Sequence, residues 1–253
     1  MISVNGENIN VTIFPDKTSQ VWQVPIIDQT PKRFDIEWVF EHEGELFHLA
    51  QLVRLIRHNR VPVPITLHMP YLPYGRQDKE ISNESTFALR VFGNMIENMG
   101  FDKITTLDAH SDLLDKMMPV EFESIFPEKE IDFAIGQIKA TALAFPDGGA
   151  WTRYGNLLFD RSMKGIIGHK VRDPKTGYIT KYHINGDPKD HDILIIDDIA
   201  DGGMTFILLT KDLLQAGAKS VNLYATHGIF SKGIEVLKDA GISRIFTHKG
   251  EQL

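Results

Sequence analysis

Three carboxylates between residues 197 and 201 form the most chemically suggestive group in the chain. Asp197 and Asp198 follow a short apolar run that predicts a buried strand, and Asp201 begins the loop that comes next. Carboxylates at the end of such a strand can accept hydrogen bonds from ribose hydroxyls and can bind Mg²⁺. A solvated acidic turn is the alternative, but three carboxylates within five residues favour a ligand site at the strand end.

The loop after this strand has the composition of a phosphate-binding turn. Glycines allow backbone N–H groups to approach a phosphate, and a helix that begins there presents its N-terminal N–H groups to the same anion. We predict such a helix over residues 206–217, where a glycine stops it. The loop consists of Asp201, Gly202, Gly203, Met204 and Thr205. Together with the carboxylates, it predicts a site for a ribose phosphate.

Two groups of polar residues in the first half of the chain also follow predicted strands. Arg76 offers a planar, two-pronged donor for phosphate, and Gln77 and Asp78 can bind polar groups of a nucleotide. A solvated loop is the alternative for this group. His110 lies between carboxylates, where it could bind a metal or a triphosphate, or serve as a hydrogen-bonded structural histidine.

Three further groups lie in the second half of the chain. Asp147 begins a glycine-containing segment, for which an ordinary turn is the default interpretation. Lys170 and Arg172 alternate along a predicted strand, so their side chains should share a face. Two cations there could neutralise a transferring diphosphoryl group, although a basic exposed strand edge is the alternative. The run Ala225-Thr-His-Gly228 is another polar strand end.

Alternating strand and helix patterns must position these residues, and they predict an α/β fold with mostly parallel sheets. A polar, proline-containing stretch at residues 121–130 is a candidate boundary, so we predict two similar α/β domains, 1–125 and 126–253. Helices are predicted at 45–59, 86–99 and 131–143, strands at 11–14, 20–24, 64–69, 103–107, 165–169, 193–196 and 221–225, and a hairpin turn at 173–177.

The composition narrows the function classes. The 253 residues carry a net charge of −7, so no global basic field points to nucleic acid as a partner. The chain has no cysteine, which excludes disulfides, thiolate metal sites and a cysteine nucleophile. The first residues do not have the pattern of a signal peptide, and no apolar run approaches the ~20 residues of a membrane span. We therefore expect a cytoplasmic protein without a membrane partner.

In their order along the chain, these motifs resemble the signatures of ribose-phosphate diphosphokinase, the phosphoribosyl pyrophosphate synthetase family. The likeness extends from about Phe14 to His227, and several motifs in order are more specific than any one of them. The resembling segments are Tyr74-Gly-Arg-Gln-Asp78, Asp108-Ala-His110, Pro146-Asp-Gly-Gly149, Lys170-Val-Arg172, Asp197-Asp-Ile-Ala-Asp201 and Ala225-Thr-His-Gly228. The resemblance implies two phosphoribosyltransferase-like domains.

The resemblance also implies an activity, a cofactor and site residues. The family transfers the β,γ-diphosphate of Mg-ATP to the anomeric hydroxyl of ribose 5-phosphate and releases AMP. It uses Mg²⁺ and forms homodimers or larger oligomers, with adenine sites between subunits. By its pattern, ATP would be bound by Phe14, Asp16, Arg76, Gln77, Asp78 and His110, Mg²⁺ by His110, Asp147 and Asp197, and the ribose phosphate by Asp197, Asp198, Asp201, Gly202, Gly203, Met204 and Thr205. Lys170 and Arg172 would act catalytically on a mobile flap.

The phosphate loop departs from the family's pattern, which is Asp-Thr-Ala/Gly-Gly-Thr. Here Met204 stands where glycine is usual, and one hydroxyl donor is missing. A more open loop could admit a 5-phosphate that is itself esterified. These changes resemble a divergent, phage-type branch associated with NAD salvage, in which the acceptor is ribose 5-phosphate or ADP-ribose. The loop favours ADP-ribose, and a phage protein would work in the host cytoplasm.

Two other functions are compatible with parts of the pattern. A phosphoribosyltransferase would share the acidic phosphate loop, but that class does not need the ATP motifs around Arg76 and His110. A non-catalytic regulator of diphosphokinases would be expected to lose the flap cations, and this chain retains Lys170 and Arg172. Both features favour the diphosphotransferase.

Overall fold

A computed structural model describes residues 1–24, 31–59, 63–111, 113–117, 120–172 and 179–253. The chain divides into two compact units, Met1–Phe126 and Pro127–Leu253. Each unit is an α/β structure in which helices flank a mostly parallel sheet, and the predicted fold class is confirmed. No helix in the described part of the chain is both long and apolar enough to span a bilayer.

The first unit contains, within its described residues, a six-stranded sheet of order β2-β1-β5-β6-β7-β8 and a separate β3-β4 hairpin. Strands β5 to β8 are parallel, and β1 pairs antiparallel with both of its neighbours. The elements are β1 Ile2–Val4, β2 Glu7–Asn8, β3 Val11–Ile13, β4 Ser19–Val21, β5 Phe34–Trp38, α1 Glu45–Asn59, β6 Ile65–Met69, α2 Ala88–Glu97, β7 Lys103–Leu107, α3 Leu113–Met117 and β8 Glu121–Ile125.

The second unit contains, over the residues described there, a seven-stranded sheet of order β11-β10-β9-β12-β13-β14-β15. Its inner five strands are parallel, and β11 and β15 are antiparallel edges. The elements are α4 Glu128–Ile138, β9 Ala142–Phe145, α5 Gly148–Tyr154, α6 Asn156–Arg161, β10 Lys164–Arg172, β11 Ile179–Asn185, β12 Asp192–Ala200, α7 Met204–Gln215, β13 Ser220–Gly228, α8 Glu235–Asp239, β14 Ile242–Thr247 and β15 Gly250–Gln252.

Helix α1 has the predicted bounds because its apolar residues recur at helical spacing. Leu49, Leu52, Val53 and Ile56 are buried in the core of the first unit. These residues share one face, which packs the helix into this core. The polar loops follow the carboxyl ends of β6 and β7.

The predicted helix at 131–143 is wrong at its C-terminal end. Helix α4 ends at Ile138, where Lys139 adopts a left-handed conformation with φ of 53°. Residues Ala142–Phe145 then form β9, which is fully buried between β10 and β12. A run of four apolar residues buried on both faces has no strand periodicity, and its two alanines favour a helix, so the pattern was ambiguous.

Two polar segments also form strands. The expected boundary at 121–130 contains β8, an edge strand in which Phe122 alone is buried, so its composition is that of a loop.

The acidic strand does not end at Ile196, because β12 continues to Ala200 in parallel pairing with β13. Asp197 and Asp198 therefore lie within a strand, and backbone pairing fixes their positions. The predicted hairpin turn at 173–177 lies outside the described residues, but the flanking β10 and β11 pair antiparallel.

Candidate active site

Three carboxylates meet at the carboxyl ends of the central strands of the second unit. Strands β9 and β12 are parallel neighbours, with Ala144 opposite Ile195, so Asp147 and Asp197 leave the sheet at the same edge. Asp197 is half-buried and Asp198 is buried, and the N–H of Asp198 donates to Oδ1 of Asp197 at 3.0 Å.

The electrostatics of this group are those of a cation site. Burial raises the pKa of the Asp197 carboxyl well above its usual value, and the negative charges of Asp198 and Asp147 raise it further. Arg153 in α5 offers partial compensation, since its Nη1 lies 3.5 Å from Oδ2 of Asp198. A bound cation would relieve the remaining repulsion and favour the ionised carboxylates.

Asp147 does not begin an ordinary turn, as the sequence suggested, but caps a helix. Its Oδ1 accepts hydrogen bonds from the N–H groups of Gly149 at 2.9 Å and Ala150 at 3.1 Å, at the start of α5. The cap fixes the carboxylate at the end of β9, which points its charge towards the acidic strand. Arg153, one turn further along α5, joins the site and was not predicted from the sequence.

Residues 201–203 connect β12 to α7, which begins at Met204 and ends at Gln215, two residues earlier at each end than the predicted 206–217, so Met204 and Thr205 form its first turn. Gly203 has φ of +77°, and a methyl group on its Cα would lie 2.9 Å from Cδ2 of Leu237, so glycine is required there. A glycine cap has no side chain to bond the first N–H groups of α7, which leaves this 12-residue helix suited to an anion. Thr205 is half-buried, and Met204 is 53% exposed.

The neighbouring strand β13 supports this loop. Ile199 and Ala200 of β12 pair with His227 and Gly228, so the Thr-His-Gly strand end lies beside the acidic strand. The N–H groups of Ile229 and Phe230 both donate to the carbonyl of Ala200. The chain after β13 thereby holds the residue that precedes the phosphate loop.

In the first unit the structure brings the Arg76 loop against the His110 loop. They follow the parallel neighbours β6 and β7, and a methyl group on Gly75 would lie 3.6 Å from Cβ of His110. The carbonyl of Gln77 accepts from the N–H of Leu89, which ties the loop to the start of α2. Arg76, Gln77 and His110 are exposed and Asp78 is half-buried, so the loop is accessible to a ligand.

Phe14 and Asp16 lie elsewhere in the first unit, in the turn between β3 and β4. Phe14 is half-buried and packs edge-to-face on Trp22, with ring centroids 6.4 Å apart. Asp16 accepts from the N–H and the hydroxyl of Thr18, and these bonds lower the pKa of its carboxyl. Asp16 thus has a local role in the turn, and its contact with ATP stays a prediction.

Lys170 and Arg172 lie at the end of β10, but their side chains lie outside the described residues. The Cα partner of Lys170 is Tyr182, and that of Arg172 is Ile179. The register shifts between Val171 and Arg172, with Thr180 as the extra residue on β11, and the predicted shared face of the two cations stays a prediction.

The donor set of the second unit fits Mg²⁺. In the described part of the chain, no group of three or more metal-ligating side chains is found. Mg²⁺ does not require one, because it keeps several waters and binds one or two carboxylates together with substrate phosphates. Asp147 and Asp197 supply two such oxygens, and among the described residues it is negative charges, those of Asp198 and Asp147, that act on Asp197. His110 belongs to the first unit, so its predicted role as a metal ligand stays a prediction.

A solved structure and several curated proteins are similar to this chain. A phosphoribosylpyrophosphate synthetase from Mycobacterium smegmatis superposes with a TM-score of 0.75 at 21% identity, over 95% of this chain and 79% of that one. The chain has the fold of this synthetase. No family model matches it.

The curated relatives are named ribose-phosphate pyrophosphokinases. Pyrophosphokinase 2 of Schizosaccharomyces pombe is 28% identical over 78% of this chain and 64% of its own length. Pyrophosphokinase 2 of Saccharomyces cerevisiae is 29% identical over 81% and 66%, and the Buchnera aphidicola protein 30% over 72% and 59%. The chain matches less than two thirds of the length of each of these relatives.

Proposed function

We propose that the chain is a Mg-ATP-dependent diphosphotransferase of the ribose-phosphate pyrophosphokinase family. It moves the β,γ-diphosphate of ATP to the anomeric hydroxyl of a ribose 5-phosphate moiety and releases AMP. The observation that carries this proposal is the second unit's carboxylate group, Asp147, Asp197 and Asp198, directly beside the glycine-capped N-terminus of α7. This arrangement matches a sugar that carries both hydroxyls and a phosphate.

The residues have distinct parts in the reaction. Asp197 and Asp198 accept hydrogen bonds from the ribose hydroxyls, while residues 201–205 donate backbone N–H groups to the 5-phosphate. The oxygen of the anomeric hydroxyl then attacks the β-phosphorus of ATP and gives up its proton to solvent, a new P–O bond forms, and the bond from that phosphorus to the oxygen bridging to the α-phosphate breaks. AMP leaves with that oxygen. Such a transfer needs alignment and charge neutralisation more than covalent help.

The remaining groups bind and neutralise ATP. Arg76, Gln77, Asp78 and His110 bind ATP in the N-terminal domain, residues 1–125, and Phe14 stacks on adenine with Asp16 nearby. Lys170 and Arg172 of the C-terminal domain, residues 126–253, neutralise the transferring diphosphoryl group. Mg²⁺ held by Asp147 and Asp197 would lower the charge of the triphosphate, and His110, in the first unit, is a further proposed metal ligand. The active form is a homodimer or larger oligomer, acting in the cytoplasm in nucleotide or NAD synthesis.

The acceptor we propose is ADP-ribose, with ADP-ribose pyrophosphate as the product. Met204 is 53% exposed at the first position of α7, and Gly202 offers no hydroxyl, so the loop has fewer donors for a free phosphate monoester. A phosphate that is already esterified carries one charge fewer and needs room on its far side. This chemistry suits NAD salvage in a phage-type branch of the family.

AMP release from Mg-ATP tests both levels of the proposal. We expect the purified protein to release AMP with ADP-ribose at a rate at least about tenfold above that with ribose 5-phosphate, and negligible AMP without an acceptor. AMP release with ribose 5-phosphate but not with ADP-ribose would support the diphosphotransferase activity and contradict ADP-ribose as the acceptor. No AMP with either acceptor would overturn the activity.

Restoring the family's loop chemistry should reverse the acceptor preference. The double variant Gly202→Thr/Met204→Gly adds the missing hydroxyl and removes the exposed side chain. A Cβ on residue 202 would lie 3.8 Å from Cε of Lys232, which is ordinary contact, so threonine fits. We expect the ratio of kcat/KM for ribose 5-phosphate over ADP-ribose to rise by about tenfold, on the scale of one hydrogen bond to a charged group. An unchanged ratio would show that this loop does not select the acceptor.

A further inference from the structure

Tyr182 joins the edge strand of the second unit to the turn that carries Asp147. It lies on β11, and its hydroxyl donates to the carbonyl of Pro146 at 2.8 Å. Strand β10 lies between β11 and β9 in the sheet, so the side chain reaches across a whole strand to make this bond. Pro146 immediately precedes the carboxylate that caps α5.

The crossing requires a glycine in the intervening strand. A methyl group on Gly168 would lie 2.0 Å from the Tyr182 hydroxyl oxygen and 3.0 Å from the carbonyl oxygen of Pro146. Any other residue at position 168 would displace the phenol from its acceptor. The hydrogen bond between Tyr182 and Pro146 therefore depends on glycine at position 168.

The hydroxyl is a permanent donor. Burial raises the pKa of Tyr182 far above its usual value, and the negative charges of Asp147, Asp212 and Asp197 raise it further. The phenol therefore stays protonated over the whole physiological range. The hydrogen bond to Pro146 therefore does not depend on pH in this range, which indicates a structural role for Tyr182 rather than one as a catalytic acid or base.

The geometry points to Tyr182 as a positioning residue. Its hydrogen bond to Pro146 fixes the position of strands β10 and β11 relative to Asp147. Tyr182 is the Cα partner of Lys170. The residue of β11 that bonds to the turn before Asp147 therefore lies opposite the first proposed flap cation. The inference rests on the proposed function, because that function makes Lys170 and Asp147 partners in one reaction.

Tyr182→Phe removes the bond and keeps the ring. We expect faster amide hydrogen exchange in residues 165–169 and 182–185, and kcat lower by about tenfold with KM values within about twofold, since a displaced cation loses transition-state contacts more than ground-state ones. Tyr224→Phe is the matched control. It removes a buried phenol hydroxyl on β13 that accepts a hydrogen bond from Thr226 at 3.4 Å, so it also costs one hydrogen bond, but away from Pro146. We expect the exchange of residues 165–169 and 182–185 and the kcat to stay at wild-type values.

Gly168→Ala tests the same contact from the other side. We expect it to reproduce Tyr182→Phe, and the double variant to lose less kcat than the product of the two single losses. Unchanged exchange in Tyr182→Phe would overturn the tie, even if the wild type released no AMP. Faster exchange with normal kcat would overturn its role in positioning. Absence of turnover in the wild type would instead contradict the proposed function.

Discussion

Replacing Lys170 with alanine is expected to lower the turnover of AMP release by about 10²-fold or more. The proposed reaction moves a highly charged diphosphoryl group, and a cation aimed at that charge contributes most in the transition state. ATP binding should change little, because the proposed ATP-binding residues Arg76, Gln77 and Asp78 belong to the first unit. Steady-state kinetics with varied Mg-ATP would therefore show a fall in kcat with KM nearly unchanged.

Lys164→Ala is the matched control for this variant. Lys164 is exposed at the opposite end of the same strand, where it pairs with Ala142, so the substitution removes the same charge far from the flap. We expect its kinetics to equal those of the wild type. Equal activity in Lys170→Ala and Lys164→Ala would remove Lys170 from the catalytic group.

Much of the fold follows from patterns that the sequence shows directly. Helix α1 was predicted with its observed bounds because Leu49, Leu52 and Ile56 recur at the helical period and are all buried. The glycine-containing turn between β12 and α7 was predicted because strand, glycines and helix occur in order, although α7 begins at Met204 rather than Phe206. Where apolar residues fill both faces, as in β9, periodicity vanishes and the pattern cannot separate strand from helix.

The site residues that the sequence did not reveal depend on contacts between distant segments. Arg153 reaches Asp198 only because Asp147 caps α5 and turns that helix towards β12. The N-cap pattern of aspartate before two glycines was the available signal. Tyr182 was not predicted because its bond to Pro146 requires the strand order β11-β10-β9 and a glycine at 168. No local spacing encodes those conditions.

Asp197→Asn is expected to lower the turnover by about 10²-fold or more and to stabilise the metal-free protein at neutral pH. In the proposed mechanism the charge of Asp197 binds Mg²⁺ and accepts a hydrogen bond from a ribose hydroxyl, and the amide lacks that charge, so activity should fall. It also removes a carboxylate that burial, Asp198 and Asp147 make costly to ionise. Kinetics and denaturant unfolding in EDTA would measure the two effects.

The pH dependence gives this prediction a sign. The folded protein holds the Asp197 proton at a higher pKa than the unfolded chain, whose value is ~4. Between the unfolded and the folded pKa, the folded state binds more protons, so this group's contribution to the free energy of unfolding is lost as pH rises through that interval. Asp197→Asn should flatten this decrease, and Mg²⁺ should raise the melting temperature of the wild type more than that of the variant.

Asp192→Asn is the control with the opposite sign, on the same strand. Hydrogen bonds from Lys219 and Ser220 lower the pKa of Asp192, so its contribution is present above the unfolded value and is lost as pH falls through the folded one. This variant should lose stability at neutral pH and keep its turnover. The variants at Asp192 and Asp197 would then distinguish a carboxylate that stabilises the fold from one that lowers its stability and serves ligand binding. Parallel pH profiles for both variants would contradict that distinction.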